Sequence, residues 1–189
     1  MEPKLSIIKA DNVILRPVCV NDVGAIYEIY SNEKIFYFMP GKAINDKKAI
    51  VRLINEFEEK HQSKQAFFWG ICLEDEPKKI IGIIELYDLD LKVHMISIGY
   101  RLNERFWGKG IMTAAVKAMV DFLFYTTKIK RIQAFVLPMN ESSKRILHKN
   151  GFKKEGVLRQ AQYWEEKGIV DVVIYSILRD DIDIKSAQS

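Results

Sequence analysis

The stretch RFWGKG, Arg105 to Gly110, sets two glycines one residue apart among basic side chains. Glycine permits positive φ and close backbone approach, so several amides can converge on one anion. A helix beginning just after the second glycine adds unpaired N–H groups and the positive end of its dipole. Arg105 and Lys109 add positive field. The chemistry implied is phosphate binding on backbone amides, although a tight strand-to-helix turn alone would use the same residues. Two familiar phosphate motifs fail on spacing. No G-x-x-x-x-G-K-[ST] starts at Gly108, and Thr113 stands where a dinucleotide fingerprint needs its third small residue.

Other reactive side chains form no pattern. His61, His94 and His148 lack metal-ligand spacing, and no metal is expected. Cys19 and Cys72 lie far apart in apolar surroundings, which implies no disulfide framework and a reducing, cytoplasmic setting. Net charge is +4 over 189 residues, with the basic side chains dispersed. That favours an anionic ligand without demanding nucleic acid, and the basic run at 126–131 needs no more than a turn to explain it. No apolar run approaches a membrane span, and the N-terminus lacks the apolar core of a signal peptide.

These residues need elements to hold them. NVILRPV alternates as a strand ending at Pro17, and Asn21 or Asp22 can cap a helix with Ile26, Ile29 and Tyr30 on one face. SNEKIFYFMPGK is expected to be a loop. Asn45 or Asp46 caps a second helix to about Lys60. AFFWGICL, KIIGIIELYDL and VHMISIGYRL are three successive strands, the first two a hairpin. Ile111 to Tyr125 is apolar almost all round, as in a helix buried on a sheet. RIQAFVL is a strand, NESSKRILHKN a helix from Asn140 to the C′ glycine Gly151, and KKEGVLR and VDVVIYSIL two final strands. RDDIDIKSAQS is a polar tail. The order β-α-α-β-β-β-α-β-α-β-β has no linker or repeat and implies one mixed α/β domain over residues 1–189, with a right-handed parallel crossover between Val93 and Leu137.

In this setting RFWGKG resembles the R/Q-x-x-G-x-G/A motif of the GNAT superfamily of N-acetyltransferases, and IGYRLNERFWGKGIMTAAVKAMVDFLF resembles its strand-loop-helix. The segment from Asn140 to Leu178 is similar to the RimJ/RimL-like branch that acetylates ribosomal-protein N-termini. The resemblance implies a GNAT-like fold: a twisted, mostly antiparallel sheet with a splayed parallel strand pair, flanked by helices. It implies acetyl-CoA as co-substrate, with Trp107, Gly108, Lys109, Gly110 and Ile111 on its pyrophosphate and Arg105 opening the loop. The preceding strand is expected to bulge and splay, leaving Tyr100, Arg101 and Leu102 for the pantetheine arm. Asn140 would contact the pantetheine, and Ser143 would lie near the thiol. A neutral amine attacks the thioester directly, so no nucleophile motif is required.

Three positions depart from the family pattern. Ser97 stands where many branch members carry a glutamate, Leu147 where many superfamily members carry a tyrosine, and Gln162 where some carry a carboxylate. Ser143, Tyr163 and Glu85 remain as catalytic candidates. Each also has a plainer role, as helix-start support, hairpin packing and an outward strand residue respectively. Phe36, Tyr37 and Phe38, with Met39 and the segment from Gln162 to Lys167, are expected to shape the acceptor site, unless the aromatics only pack on the core. The acceptor would be a protein N-terminus or a small amine such as a polyamine, amino acid or antibiotic, and the enzyme a monomer or homodimer. A non-catalytic acyl-CoA sensor and a basic RNA-associated module are the rival readings.

Overall fold

Eight strands are seen in a computed structural model that describes residues 3–186, seven of them where alternation and β-branched content place them. They are β1 (Ile8–Ala10), β2 (Val13–Pro17), β3 (Ala66–Leu73), β4 (Gly82–Asp90), β5 (Met95–Leu102), β6 (Arg131–Val136), β7 (Lys153–Trp164) and β8 (Gly168–Leu178). The helices are α1 (Val23–Tyr30), α2 (Glu33–Phe36), α3 (Lys47–Gln62), α4 (Ile111–Thr126), α5 (Glu141–Lys149) and α6 (Arg179–Ser186). All eight strands join one sheet in the order β1-β2-β3-β4-β5-β6-β8-β7, antiparallel except for β5 and β6. The parallel pair and its crossover helix α4 are where the sequence predicts them.

The sheet is buried on both faces by different helices. Ile96, Ile98 and Leu102 of β5 pack with Ala115, Met119 and Leu123 of α4, and Leu147 of α5 joins this cluster. On the other face Ile26 and Ile29 of α1 and Ile50, Ile54 and Phe57 of α3 cover Phe68, Cys72 and Ile83. Phe57 stacks on Phe68 with ring centroids 3.9 Å apart. Each such fully buried apolar side chain contributes about 1.5–3 kcal/mol of transfer free energy. No helix among the described residues is long and apolar enough to cross a membrane.

The functional geometry comes from an incomplete pairing. β5 and β6 meet only at Met95–Arg131, Ile96–Ile132 and Ser97–Gln133. Beyond Ser97, β5 stays paired with β4, and beyond Gln133, β6 stays paired with β8. The two strands therefore diverge. A hydrogen-bond chain runs from the buried crotch to the surface: Gln133 Nε2 donates to Ser97 Oγ at 3.2 Å, and Ser97 donates to Oδ2 of the exposed Asp88 at 3.2 Å. Ser97, where branch members carry glutamate, is fully buried and occupied in this way.

Several local expectations change. The bulge lies in β4, not in β5: the register shifts between Tyr87 and Asp90, and Asp88 adopts φ +52, a conformation aspartate tolerates better than most residues. The loop expected at 31–42 contains α2, whose N-cap Asn32 accepts from the Lys34 amide; four residues are too few to show a helical period. β1 is likewise too short to signal itself. The tail carries α6, and β7 runs on to Trp164 through an irregularity between Leu158 and Gln162.

Candidate active site

Arg105 to Gly110 is a rigid turn. Asn103, nearly buried, accepts from the Arg105 amide at 3.1 Å and donates to Glu28 at 3.2 Å. The Trp107 indole donates to the Leu102 carbonyl at 2.8 Å, and Phe106 packs on the core while Lys109 lies over its ring. Gly108 and Gly110 both have positive φ, +74 and +78. Gly110 is the N-cap of α4 and offers no side chain to the helix start. The first helical bond runs from the Ala114 amide to Gly110, so the amides of Ile111, Met112 and Thr113 have no intrahelical acceptor. This is an anion cradle built of backbone.

The cradle opens into a cavity of about 870 Å³ that passes between the diverging strands, with Ile98 to Leu102 on one side and Ala134 to Val136 on the other. The charged side chains lining it are Lys34, Lys60, Arg101, Arg145, Lys149 and Glu85. Five cations against one carboxylate suit a polyanionic ligand. On the α4 and α5 face, Asn140 caps α5 by accepting from the Ser143 amide at 3.1 Å. The Ser143 hydroxyl is thereby left out of the cap, and it lies 2.7 Å from the Tyr100 hydroxyl. Burial of Tyr100 pushes its phenol well above the ordinary range, an effect the bond to Ser143 tempers.

On the opposite face Glu85 lies across Gly99, immediately past the crotch. A Cβ at residue 99 would stand 2.6 Å from Glu85 Oε1, so only glycine leaves the carboxylate this path. Glu85 Oε2 accepts from Arg101 Nη2 at 2.8 Å. Arg101 is nearly buried and rests on the Tyr30 ring, 4.7 Å from its centroid. Burial works against its charge, but Glu85 and Tyr30 outweigh that and raise its pKa. Tyr87, beside Glu85, is held protonated by burial and by that carboxylate.

The mouth on this face lies between Phe38, Met39 and Pro40 at the end of α2 and Gln162, Tyr163 and Trp164 at the end of β7. Lys167 sits over both Tyr37 and Trp164, and Lys42 pairs with Glu165 at 3.4 Å, so the two segments are tied together. Gln162 accepts from the Trp164 indole at 3.0 Å. Glu104, next to the cradle, accepts from both Lys34 and Asn32, coupling α2 to the loop.

Of the residues singled out from the sequence, Tyr100, Arg101, Leu102, Trp107, Gly108, Gly110, Asn140, Ser143, Glu85, Phe38, Gln162 and Tyr163 line this one cavity. Arg105 and Lys109 flank it from exposed positions, and Ile111 turns its side chain into the core. Phe36 is buried against Tyr30, and Tyr37 is exposed outside the cavity wall against Phe38. The Leu102 carbonyl is already taken by Trp107. Sequence reasoning missed Arg145 and Lys149, whose i, i+4 spacing on α5 was the available signal, and the side chains of Tyr100 and Arg101, whose roles depend on which face each strand residue presents.

The sequence profile of the Acetyltransferase (GNAT) domain matches residues 12–153. The chain belongs to the GNAT acetyltransferase family. This GNAT protein is 32% identical over 173 residues to the uncharacterized N-acetyltransferase YoaA of Bacillus subtilis (strain 168), covering 92% of this chain and 97% of the relative. It is 29% identical over 158 residues to the ribosomal protein uS5-alanine N-acetyltransferase of Escherichia coli (strain K12), covering 79% of each chain. The Microcin C7 self-immunity acetyltransferase MccE, solved with acetyl-CoA and AMP, superposes with a TM-score of 0.78 at 26% identity, over 89% of this chain and 93% of its own. The mixed sheet, the relatives and the cradle agree: this protein is an acetyl-CoA-dependent acyltransferase of the GNAT family, with ribosomal-protein N-acetyltransferases among its relatives. Its free amides, cationic lining and strand gap fit coenzyme A.

Proposed function

We propose that this acetyltransferase acetylates a primary amine, the α-amine of a protein N-terminus, by direct attack within a ternary complex. The observation that carries the reading is the strand gap beyond Ser97 and Gln133, which is reached from opposite faces by the amide cradle and by Glu85. The amides of Gly108 to Thr113 hold the pyrophosphate, with Arg145 and Lys149 adding charge. The unpaired edge of β5 from Ile98 to Arg101 and the Asn140 side chain border the pantetheine arm. When bound, acetyl-CoA supplies an activated acyl thioester.

Chemistry on this chain divides by face. Glu85 accepts the proton that the amine must lose, and Arg101 keeps its carboxylate aimed across Gly99. Ser143 donates a hydrogen bond to the sulfur as charge develops there. Phe38, Met39 and Phe68 give an apolar passage, and Gln162 and Tyr163 flank an open mouth through which an extended chain end can enter. Similarity to the uS5-alanine N-acetyltransferase of Escherichia coli supports a peptide acceptor.

The test is thiol release from acetyl-CoA with peptides carrying N-terminal alanine or serine, beside polyamines, amino acids and aminoglycosides. Turnover of peptides above the small amines is expected. Preference for a small amine overturns the acceptor, and thiol release from none of them overturns the reading.

A further inference from the structure

Tyr100 and Ser143 come from different elements, β5 and the first turn of α5, and meet across the coenzyme face of the strand gap. Their hydroxyls are 2.7 Å apart, and both residues line the cavity. The Ser143 amide is satisfied by Asn140, so the hydroxyl has no capping duty. Two hydroxyls that share one hydrogen bond leave one hydroxyl proton of the pair undonated. Either hydroxyl could donate this bond; the phenol, the stronger acid and also 3.4 Å from the Ser143 carbonyl, is taken as the donor, with Ser143 Oγ accepting. The undonated proton is then the serine's.

We propose that Tyr100 is a positioning residue for acetyl transfer: its phenol fixes the Ser143 hydroxyl so that the serine proton is presented to the leaving sulfur. This rests on the reading that acetyl transfer occurs in this gap. A hydroxyl that accepts a hydrogen bond is polarised into a better donor. The reaction breaks the C–S bond and forms C–N; Glu85 takes the proton that nitrogen loses, and the sulfur leaves as a thiolate that accepts the Ser143 hydrogen bond and takes its proton from water on release. Neither hydroxyl of the pair gives up its proton, so the pair ends the turnover as it began. The phenol's shift above its ordinary range, caused by burial, keeps it a donor throughout the working pH range.

The experiment titrates the thiol of bound coenzyme A by thiolate absorbance in the unaltered protein, Tyr100→Phe, Ser143→Ala and the double variant. Loss of the tyrosine hydroxyl is expected to weaken thiolate stabilisation about three- to tenfold. Ser143→Ala should weaken it at least as much, and the double variant no further, because the two act through one contact. In turnover, Tyr100→Phe should lower kcat about tenfold while the acetyl-CoA dissociation constant stays within about threefold. Identical titration of the bound thiol in the unaltered protein and Tyr100→Phe overturns the proposal, as does additivity in the double variant. A shifted thiol with no turnover on any amine instead leaves the pair standing and overturns acetyl transfer to amines.

Discussion

Gly99→Ala tests the acceptor side of the site by adding one methyl group. The new Cβ would stand 2.6 Å from Glu85 Oε1 and 3.0 Å from its Cγ, so the carboxylate must leave its place over the strand. Leaving breaks the 2.8 Å contact with Arg101, whose guanidinium is only 9% exposed and cannot turn to water. A hydrogen bond between charged groups is worth about 1.5–3 kcal/mol net, whereas alanine in place of glycine within a strand returns about 0.5–1 kcal/mol. The balance is a loss of about 1–2 kcal/mol, or roughly 2–8 °C in Tm for a chain of this size. If Glu85 takes the amine proton, kcat falls about a hundredfold as well. Thermal unfolding and thiol release, with Glu85→Gln as the companion that keeps the shape and removes the base, measure both quantities. A fall in Tm with unchanged turnover would assign Glu85 a purely structural place. Unchanged Tm and turnover together would refute the steric argument.

Gly110→Val should abolish coenzyme A binding in calorimetry while the fold survives: its Cβ meets no atom within 4 Å, and the cost is the left-handed φ of +78, about 1–2 kcal/mol. Unchanged affinity would move the pyrophosphate elsewhere. Arg145→Glu with Lys149→Glu should weaken coenzyme A at least tenfold and flatten its dependence on salt, read in binding isotherms at low and high ionic strength. Glu155, bonded by Arg131 and Ser176, is held at about 2 against an ordinary 4.5. Its folded pKa is depressed, so its stabilisation is present above pH 4.5 and is lost as the pH falls through about 2. Glu155→Gln should therefore flatten the denaturant midpoint between those values, and an unaltered slope would show that the carboxylate contributes nothing there.

The cradle was legible in the sequence because its chemistry is local. Gly108 and Gly110 at the start of an apolar helix, and Asn140 at the start of another, signal turn and cap without help from distant residues. The acceptor side was not legible in the same way. Glu85 is one carboxylate among many until strand register sets it over Gly99, which lies beyond the β4–β5 turn. Arg101 belongs to the stretch expected along the pantetheine arm, yet its side chain turns to the opposite face and anchors Glu85. Phe36, Tyr37 and Phe38 form one aromatic run, but the short α2 sends one to the core, one to the surface and one to the cavity. That sorting depends on helical phase over four residues, which no periodicity can reveal.

The divergence of β5 from β6 leaves the native sheet short of backbone hydrogen bonds at its centre, where most proteins are best protected. A ligand that threads the gap and bonds those groups becomes, in thermodynamic terms, a surrogate strand. Folding stability is then linked to coenzyme concentration, rising by about 2.7 kcal/mol when the ligand reaches a hundred times its dissociation constant. The amides of Ile98 and Tyr100, which point away from β4 into the gap, should exchange with solvent faster than those of Gly99 and Arg101 and slow on saturation.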